Sequence, residues 1–216
     1  VSSASHEFKT PISAIEGYAA LLRSGDDLTE EQRECVEKII FNTKRLSSLT
    51  SSILLLSKLE NQEIPTNRTK FLVDEQIRQS IVGLESQWEC KNIELDVDLC
   101  EVEYYGNELL MRHVWDNLIS NAIKFTPEGS TVKIQLVKKL TKIVFTVEDQ
   151  GSGIPEDSLR HIFNKFYQAD SDHKQEGSGL GLALVDKILT LEKGIVQAEN
   201  LETGGCRFTV TLRTIK

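Results

Sequence analysis

Residues 108–125 read ELLMRHVWDNLISNAIKF. Met111, Trp115, Leu118, Ala122 and Phe125 recur at alternating intervals of four and three, which draws one apolar stripe along an α-helix. His113, Asn117, Asn121 and Lys124 fall on roughly the opposite face. Two asparagines one turn apart are weak helix formers, and an exposed helical face would ordinarily carry Glu, Lys or Gln. Carboxamide oxygens suit Mg²⁺ and an ammonium suits a phosphate, so the stripe is a candidate ligand face. A merely solvated face is the plain alternative.

Around this helix the pattern changes to alternation. Strands are expected near Ile93–Leu99, over Thr131–Val137 and Lys142–Glu148, and at Ile195–Glu199 and Cys206–Arg213. Helices are expected over Asp74–Cys90 and Leu180–Leu191. Helices and antiparallel strands in mixed order predict an α+β two-layer sandwich, a sheet with helices on one face.

Upstream the pattern is purely helical. Phe8, Ile12, Ile15, Ala19 and Leu22 draw a stripe on a helix ending near Ser24–Asp26. Thr29 with Gln32 forms a capping-box signal for a second helix, whose seam is Cys35, Ile39, Asn42, Leu46, Leu49, Ile53 and Leu56. A two-helix hairpin cannot bury such seams alone, so a dimeric four-helix bundle, and hence a homodimer, is expected. The polar stretch Asn61–Arg68, containing Pro65, breaks the heptads and divides the chain into domains at 1–64 and 65–216.

Composition narrows the class. A chain of 216 residues accommodates two modest domains, and 39% hydrophobic with 27% charged residues suits a globular protein. A net charge of -8 and pI near 5.1 lack the basic footprint of nucleic-acid binders. Cys35, Cys90, Cys100 and Cys206 are scattered without a metal or disulfide spacing and read as reduced thiols of a cytoplasmic protein. No apolar run approaches the roughly 18 residues of a membrane span; the chain begins at Val1 already inside a helical pattern, so any membrane anchor is expected in a part preceding it.

Three further stretches carry chemistry. His6 lies two positions before Phe8, about 200° around an ideal helix, which turns it away from the apolar stripe. A surface histidine is the bland reading. Glu7 beside it, Thr10 one turn on and Pro11, which removes a helical amide, favour a nucleophilic imidazole held at one nitrogen by a carboxylate. Asp149 with Gly151 and Gly153 ends a strand in a turn where backbone can approach a ligand closely, though a plain Asp-Gly turn is common. Gly177, Gly179 and Gly181 lead into an apolar helix whose first amides can bind phosphate. No Lys-Ser or Lys-Thr follows, and no strand precedes, so neither a Walker loop nor a dinucleotide fingerprint is present. Phe163, Phe166 and Tyr167, among polar residues, fit a loop anchored by aromatics.

Together these stretches resemble the sensor histidine kinases over essentially the whole chain. Ser5-His6-Glu7-Phe8-Lys9-Thr10-Pro11 is similar to the family's H box, and Asn117 through Phe125 to its N box. Asp149-Gln150-Gly151-Ser152-Gly153 resembles the first glycine box, Phe163 through Tyr167 the F box, and Gly177-Ser178-Gly179-Leu180-Gly181-Leu182 the second glycine box.

The resemblance implies a dimerisation and histidine-phosphotransfer domain (1–64) followed by an ATP-binding domain of the Bergerat (GHKL) fold (65–216). It implies phosphorylation of His6 from ATP, transfer to an aspartate in the receiver domain of a response regulator, and removal of that phosphate with the help of Thr10. Glu7 would orient or deprotonate His6. Asn117 and Asn121 would hold Mg²⁺ and phosphates, Lys124 a phosphate, and Asp149 the adenine amino group. Gly151, Gly153, Ile154, Phe166, Tyr167, Gly177, Ser178, Gly179, Leu180 and Gly181 would complete the ATP site, with 154–176 as a lid. Many members carry a basic residue where this chain has Gln168. Lys165, His173 or Lys174 are the alternatives for that charge. A conformational ATPase of the Hsp90, gyrase or MutL kind would lack the H box, and a scaffold would have lost part of the asparagine and glycine set. The resemblance also implies the cytoplasmic portion of a bacterial membrane protein.

Overall fold

The computed structural model describes residues 2–25, 28–61, 67–168 and 178–213, without the side chains of 2–7 and 9. Two compact units, residues 1–64 and 65–216, divide the chain.

The first unit is a helical hairpin of α1 (Ser2–Arg23) and α2 (Glu30–Glu60). Thr29 caps α2: its hydroxyl accepts from the Gln32 amide at 3.2 Å, and the Gln32 side chain accepts from the Thr29 amide at 2.9 Å. Ala19 packs with Val36 and Ile40, with Leu28 against them. The single hairpin buries the seams read from the sequence only in part, Leu56 among the buried positions. Ile12 and Ala19 are buried, but Phe8, Ile15 and Leu22 are exposed, as are Ile39, Leu46 and Ile53. Each helix thus has one apolar face inside the hairpin and a second that the single chain leaves in water.

The second unit begins with β1 (Thr69–Leu72), α3 (Val73–Gly83) and α4 (Glu85–Cys90). The helix expected over 74–90 is therefore two helices. They part at Leu84, directly after Gly83, a poor helix former. Then come β2 (Glu94–Leu99), β3 (Glu103–Gly106), α5 (Glu108–Phe125), β4 (Thr131–Lys139) and β5 (Lys142–Glu148). The turn α6 (Glu156–Leu159), α7 (Gly181–Leu191), β6 (Ile195–Asn200) and β7 (Cys206–Arg213) complete it. β1 and β3 form a small antiparallel ladder. The main sheet has the order β2-β4-β5-β7-β6, parallel only at β2-β4.

One face of that sheet is apolar. Val132, Ile134 and Leu136, then Ile143, Phe145 and Val147, then Phe208, Val210 and Leu212 are buried at alternate positions. The stripe of α5 covers them, with the Trp115 ring 4.9 Å from that of Phe145. Each such large side chain contributes about 1.5–3 kcal/mol by leaving water. Phe125 departs from the expected stripe: as the last residue of α5 it is exposed, with the Lys124 ammonium 4.5 Å from its ring centre. Among the described residues no helix is long and apolar enough to cross a membrane.

Candidate functional site

α5 is fixed at both ends. At its start Asn107 accepts from the Leu110 amide at 3.1 Å, while its own amide donates to Glu192 at 3.1 Å. At its end the Lys91 ammonium donates to the carbonyls of Ile123, Lys124 and Thr126 at 2.8, 2.8 and 2.7 Å. Three orphan carbonyls at a helix C-terminus are thereby satisfied by a cation that also complements the helix dipole. Asn117, Asn121 and Lys124 stand half-buried between these anchors.

Asp149 lies just past β5 and is 3% exposed. Its Oδ1 accepts from the amides of Gly151 at 2.9 Å and Cys206 at 3.3 Å, and the Cys206 thiol donates to Oδ2 at 2.8 Å. Burial, then Asp149, push the thiol far up, so it stays protonated and a donor. One lone pair of Oδ2 remains for an outside donor. The glycine turn follows from tight packing: a Cβ on Gly151 would stand 2.7 Å from the Phe125 carbonyl oxygen. Ile154 is clamped by the Asn200 carboxamide, which accepts from its amide at 2.8 Å and donates to its carbonyl at 2.6 Å.

α7 closes the site. A Cβ on Gly181 would lie 2.4 Å from Asn117 Oδ1, so the start of α7 and the α5 asparagine meet directly. The Asn117 amino group donates to the His113 carbonyl at 2.7 Å, which leaves Oδ1 as the outward acceptor. Leu180, which precedes α7, makes no side-chain cap bond, and Ser178 Oγ accepts from its amide at 3.3 Å. Gly179 has φ +67, and the Phe166 amide donates to its carbonyl at 2.8 Å. The Tyr167 hydroxyl donates to Ser158 at 2.9 Å.

Asn117, Gly181, Ser178, Gly179, Leu180, Phe166 and Tyr167 therefore share one junction. Asp149, Gly151, Gly153 and Ile154 share the neighbouring turn. Gly177, His173 and Lys174 lie outside the described residues, as do the side chains of His6 and Glu7, whose backbone is helical within α1. Thr10 is exposed on that helix. Sequence reading missed Lys91, Asn200 and Cys206. Only the last had a usable signal, since pairing the two expected strands from Glu148 against Arg207 sets Asp149 opposite Cys206.

Residues 106–216 match the family of histidine kinase-, DNA gyrase B- and HSP90-like ATPases, and residues 1–62 match the His kinase A (phospho-acceptor) domain. The chain belongs to the sensor histidine kinases. Its similarity to the heme sensor protein HssS of Staphylococcus haemolyticus is 32% identity over 220 residues, 98% of this chain and 46% of that protein. The chain thus spans about half the length of that relative. Among solved structures, full-length ShkA in complex with AMPPNP aligns with all of this chain and 46% of its own, at TM-score 0.81 and 27% identity. The histidine kinase ThkA in complex with the response regulator TrrA aligns with 99% of this chain and 60% of its own, at TM-score 0.71 and 26% identity. As in those kinases, a helical region precedes an α/β ATPase domain.

Proposed function

We propose that this chain is the phosphotransfer portion of a sensor histidine kinase, in which His6 takes the γ-phosphoryl group of ATP and passes it to a response regulator. The observation that carries this reading is the meeting of Asn117 with Gly181, which joins a carboxamide face to the uncapped N-terminus of α7. Positioning and charge neutralisation are the main requirements of phosphoryl transfer, and both are supplied there.

Residues 65–216 act as the ATP-binding domain. The remaining lone pair of Asp149 accepts from the adenine amino group. The α7 amides and Lys124 bind phosphate oxygens. Oδ1 of Asn117, with its amino group already engaged at His113, and Asn121 suit Mg²⁺, a hard cation that prefers oxygen. Mg²⁺ supplies charge neutralisation on the phosphates. Residues 1–64 act as the dimerisation and phospho-acceptor domain. The exposed face of Ile39, Leu46 and Ile53 supports a homodimeric four-helix bundle.

In the transfer, a lone pair of a His6 ring nitrogen forms the P–N bond while the bond from γ-phosphorus to the bridging oxygen breaks, and ADP leaves with that electron pair. Glu7 takes up the proton of the other ring nitrogen. In the second step an aspartate of the regulator's receiver domain displaces the imidazole. Thr10 then assists hydrolysis of the aspartyl phosphate by orienting water. The parent protein is read as a bacterial membrane-anchored sensor with this portion on the cytoplasmic side.

The test is incubation with γ-labelled Mg-ATP. The wild-type chain is expected to acquire acid-labile label, and His6→Gln to acquire none while still binding ATP. Acid-stable label, or label surviving in His6→Gln, overturns the assignment.

A further inference from the structure

The hairpin of β4 and β5 ends in the run Lys138-Lys139-Leu140-Thr141-Lys142, with Leu140 and Thr141 between the strands. Leu140 is wholly exposed, more so than any other large apolar side chain among the described residues. Behind it, strand register lines up cations on the sheet face opposite the helices. Lys139 stands directly across from Lys142, and Lys142 directly across from Arg213 of β7. Lys138 points to the other face of the hairpin. All four are exposed, and among the described residues none is paired with a carboxylate.

The far end of the same face follows the opposite rule. Asp96, Lys133, Glu148, Arg207 and Glu199 stand in register across all five strands with alternating sign. The Arg207 guanidinium donates to Glu148 at 2.8 Å and to Glu199 at 3.0 Å, and the Lys133 ammonium lies 3.9 Å from Asp96. Opposite charges across strands are stabilising, and like charges directly opposite are destabilising. A chain with 33 acidic and 25 basic residues has carboxylates enough for the tip as well. The row of three cations therefore breaks a rule that its own sheet keeps about 20 Å away along β4, and such local exceptions mark functional sites.

We propose that the tip docks on an anionic lipid bilayer, with Leu140 entering the acyl boundary and Lys138, Lys139, Lys142 and Arg213 meeting lipid phosphates. The proposal goes beyond the kinase reading and does not rest on it. Depth order supports it: the apolar residue is outermost and the cations stand just behind it, as acyl chains lie beneath phosphates. Cations also flank Leu140 on both faces of the hairpin, which suits end-on entry, whereas a protein laid against the sheet would meet one face. A protein partner would have to supply a pocket shaped for Leu140, while a bilayer takes an isolated apolar side chain of any shape. The net charge of -8 does not forbid approach, because at physiological salt exposed charges more than about 8 Å from the lipid are screened. One leucine and four cations give reversible contact rather than anchorage.

The experiment sediments the 216-residue chain with vesicles of pure phosphatidylcholine and with vesicles in which half the lipid is phosphatidylglycerol. The wild-type chain is expected to partition onto the anionic vesicles and not the neutral ones, and to come off as salt is raised. Lys139→Gln together with Lys142→Gln is expected to lower the partition coefficient roughly 25-fold, about a factor of five for each cation. Leu140→Ser is expected to lower it about tenfold. Both variants should melt within a few degrees of wild type, since the replaced side chains are exposed. No binding to anionic vesicles at low salt, or equal binding to both kinds, overturns the proposal. Binding that Leu140→Ser leaves unchanged describes a site for any polyanion, an acidic protein included, and overturns entry of the tip into lipid. Binding that survives the double lysine substitution lies elsewhere on the chain and overturns the proposal as well.

Discussion

The Cys206 thiol donates to Asp149 at 2.8 Å from the neighbouring strand, and both side chains are buried. The carboxylate thereby has three donors from two elements, and its orientation is settled before any base arrives. Cys206→Ser keeps a donor and is expected to retain nucleotide affinity within about twofold. Cys206→Val removes one hydrogen bond to a charged group, worth about 1.5 kcal/mol, and should weaken ATP roughly tenfold. Fluorescence competition with a labelled nucleotide reads the difference, and equal affinity in the two variants would refute the role given to the thiol.

Gly181→Ala separates site from fold. The new methyl meets only the tip of Asn117, so the side chain moves and the backbone does not. ATP-dependent labelling is expected to fall by tenfold or more, with the melting temperature within a few degrees of wild type. A variant that labels normally would show that Asn117 tolerates displacement.

Lys91→Met leaves three carbonyls at the end of α5 without their donor. A cost of about 2 kcal/mol lowers the melting temperature of a unit this size by roughly 4–8 °C. Calorimetry on the variant checks it. An unchanged transition would mean that water replaces the ammonium at no cost.

Asp74 gives the stability a pH signature. Burial alone would raise its pKa, but Arg78, the Val102 amide and its own backbone amide hold it below the usual carboxylate range. The unfolded chain therefore binds this proton more readily than the folded one, so the contribution is full above the ordinary value near 4 and fades as pH falls through the lower folded value. Asp74→Asn should melt lower than wild type at pH 7, and the gap should narrow as pH falls below about 4. A gap independent of pH assigns the loss to packing rather than charge.

Much of this was legible in the sequence, and the exceptions have physical causes. β5 and β7 fall on their expected residues because alternation was long and flanked by glycine turns. β1 and β3 are four residues each, too short to show a period, and Leu84 breaks a helix whose apolar pattern runs on past it. Asn117, Asp149 and Gly181 were visible as residue types in odd company. Lys91, Asn200 and Cys206 were not, because each acts on another chain segment, 32, 46 and 57 residues away respectively. Such roles become readable only when strand register or helix ends are known. Phe125 misled because the buried stripe ends at Ala122 and Ile123, and Phe125 is the last helical residue before the chain turns away at Thr126.

Glu192 closes α7, and its side chain takes Arg68 at 2.9 Å and the Asn107 amide at 3.1 Å, with the Tyr104 hydroxyl at 3.4 Å. In mechanical language it is a rivet through three plates: the first strand ladder, the cap of α5 and the tail of α7. Arg68 stands near the start of the second unit. Loss of this one carboxylate would release Arg68, the cap of α5 and the tail of α7 in the same event.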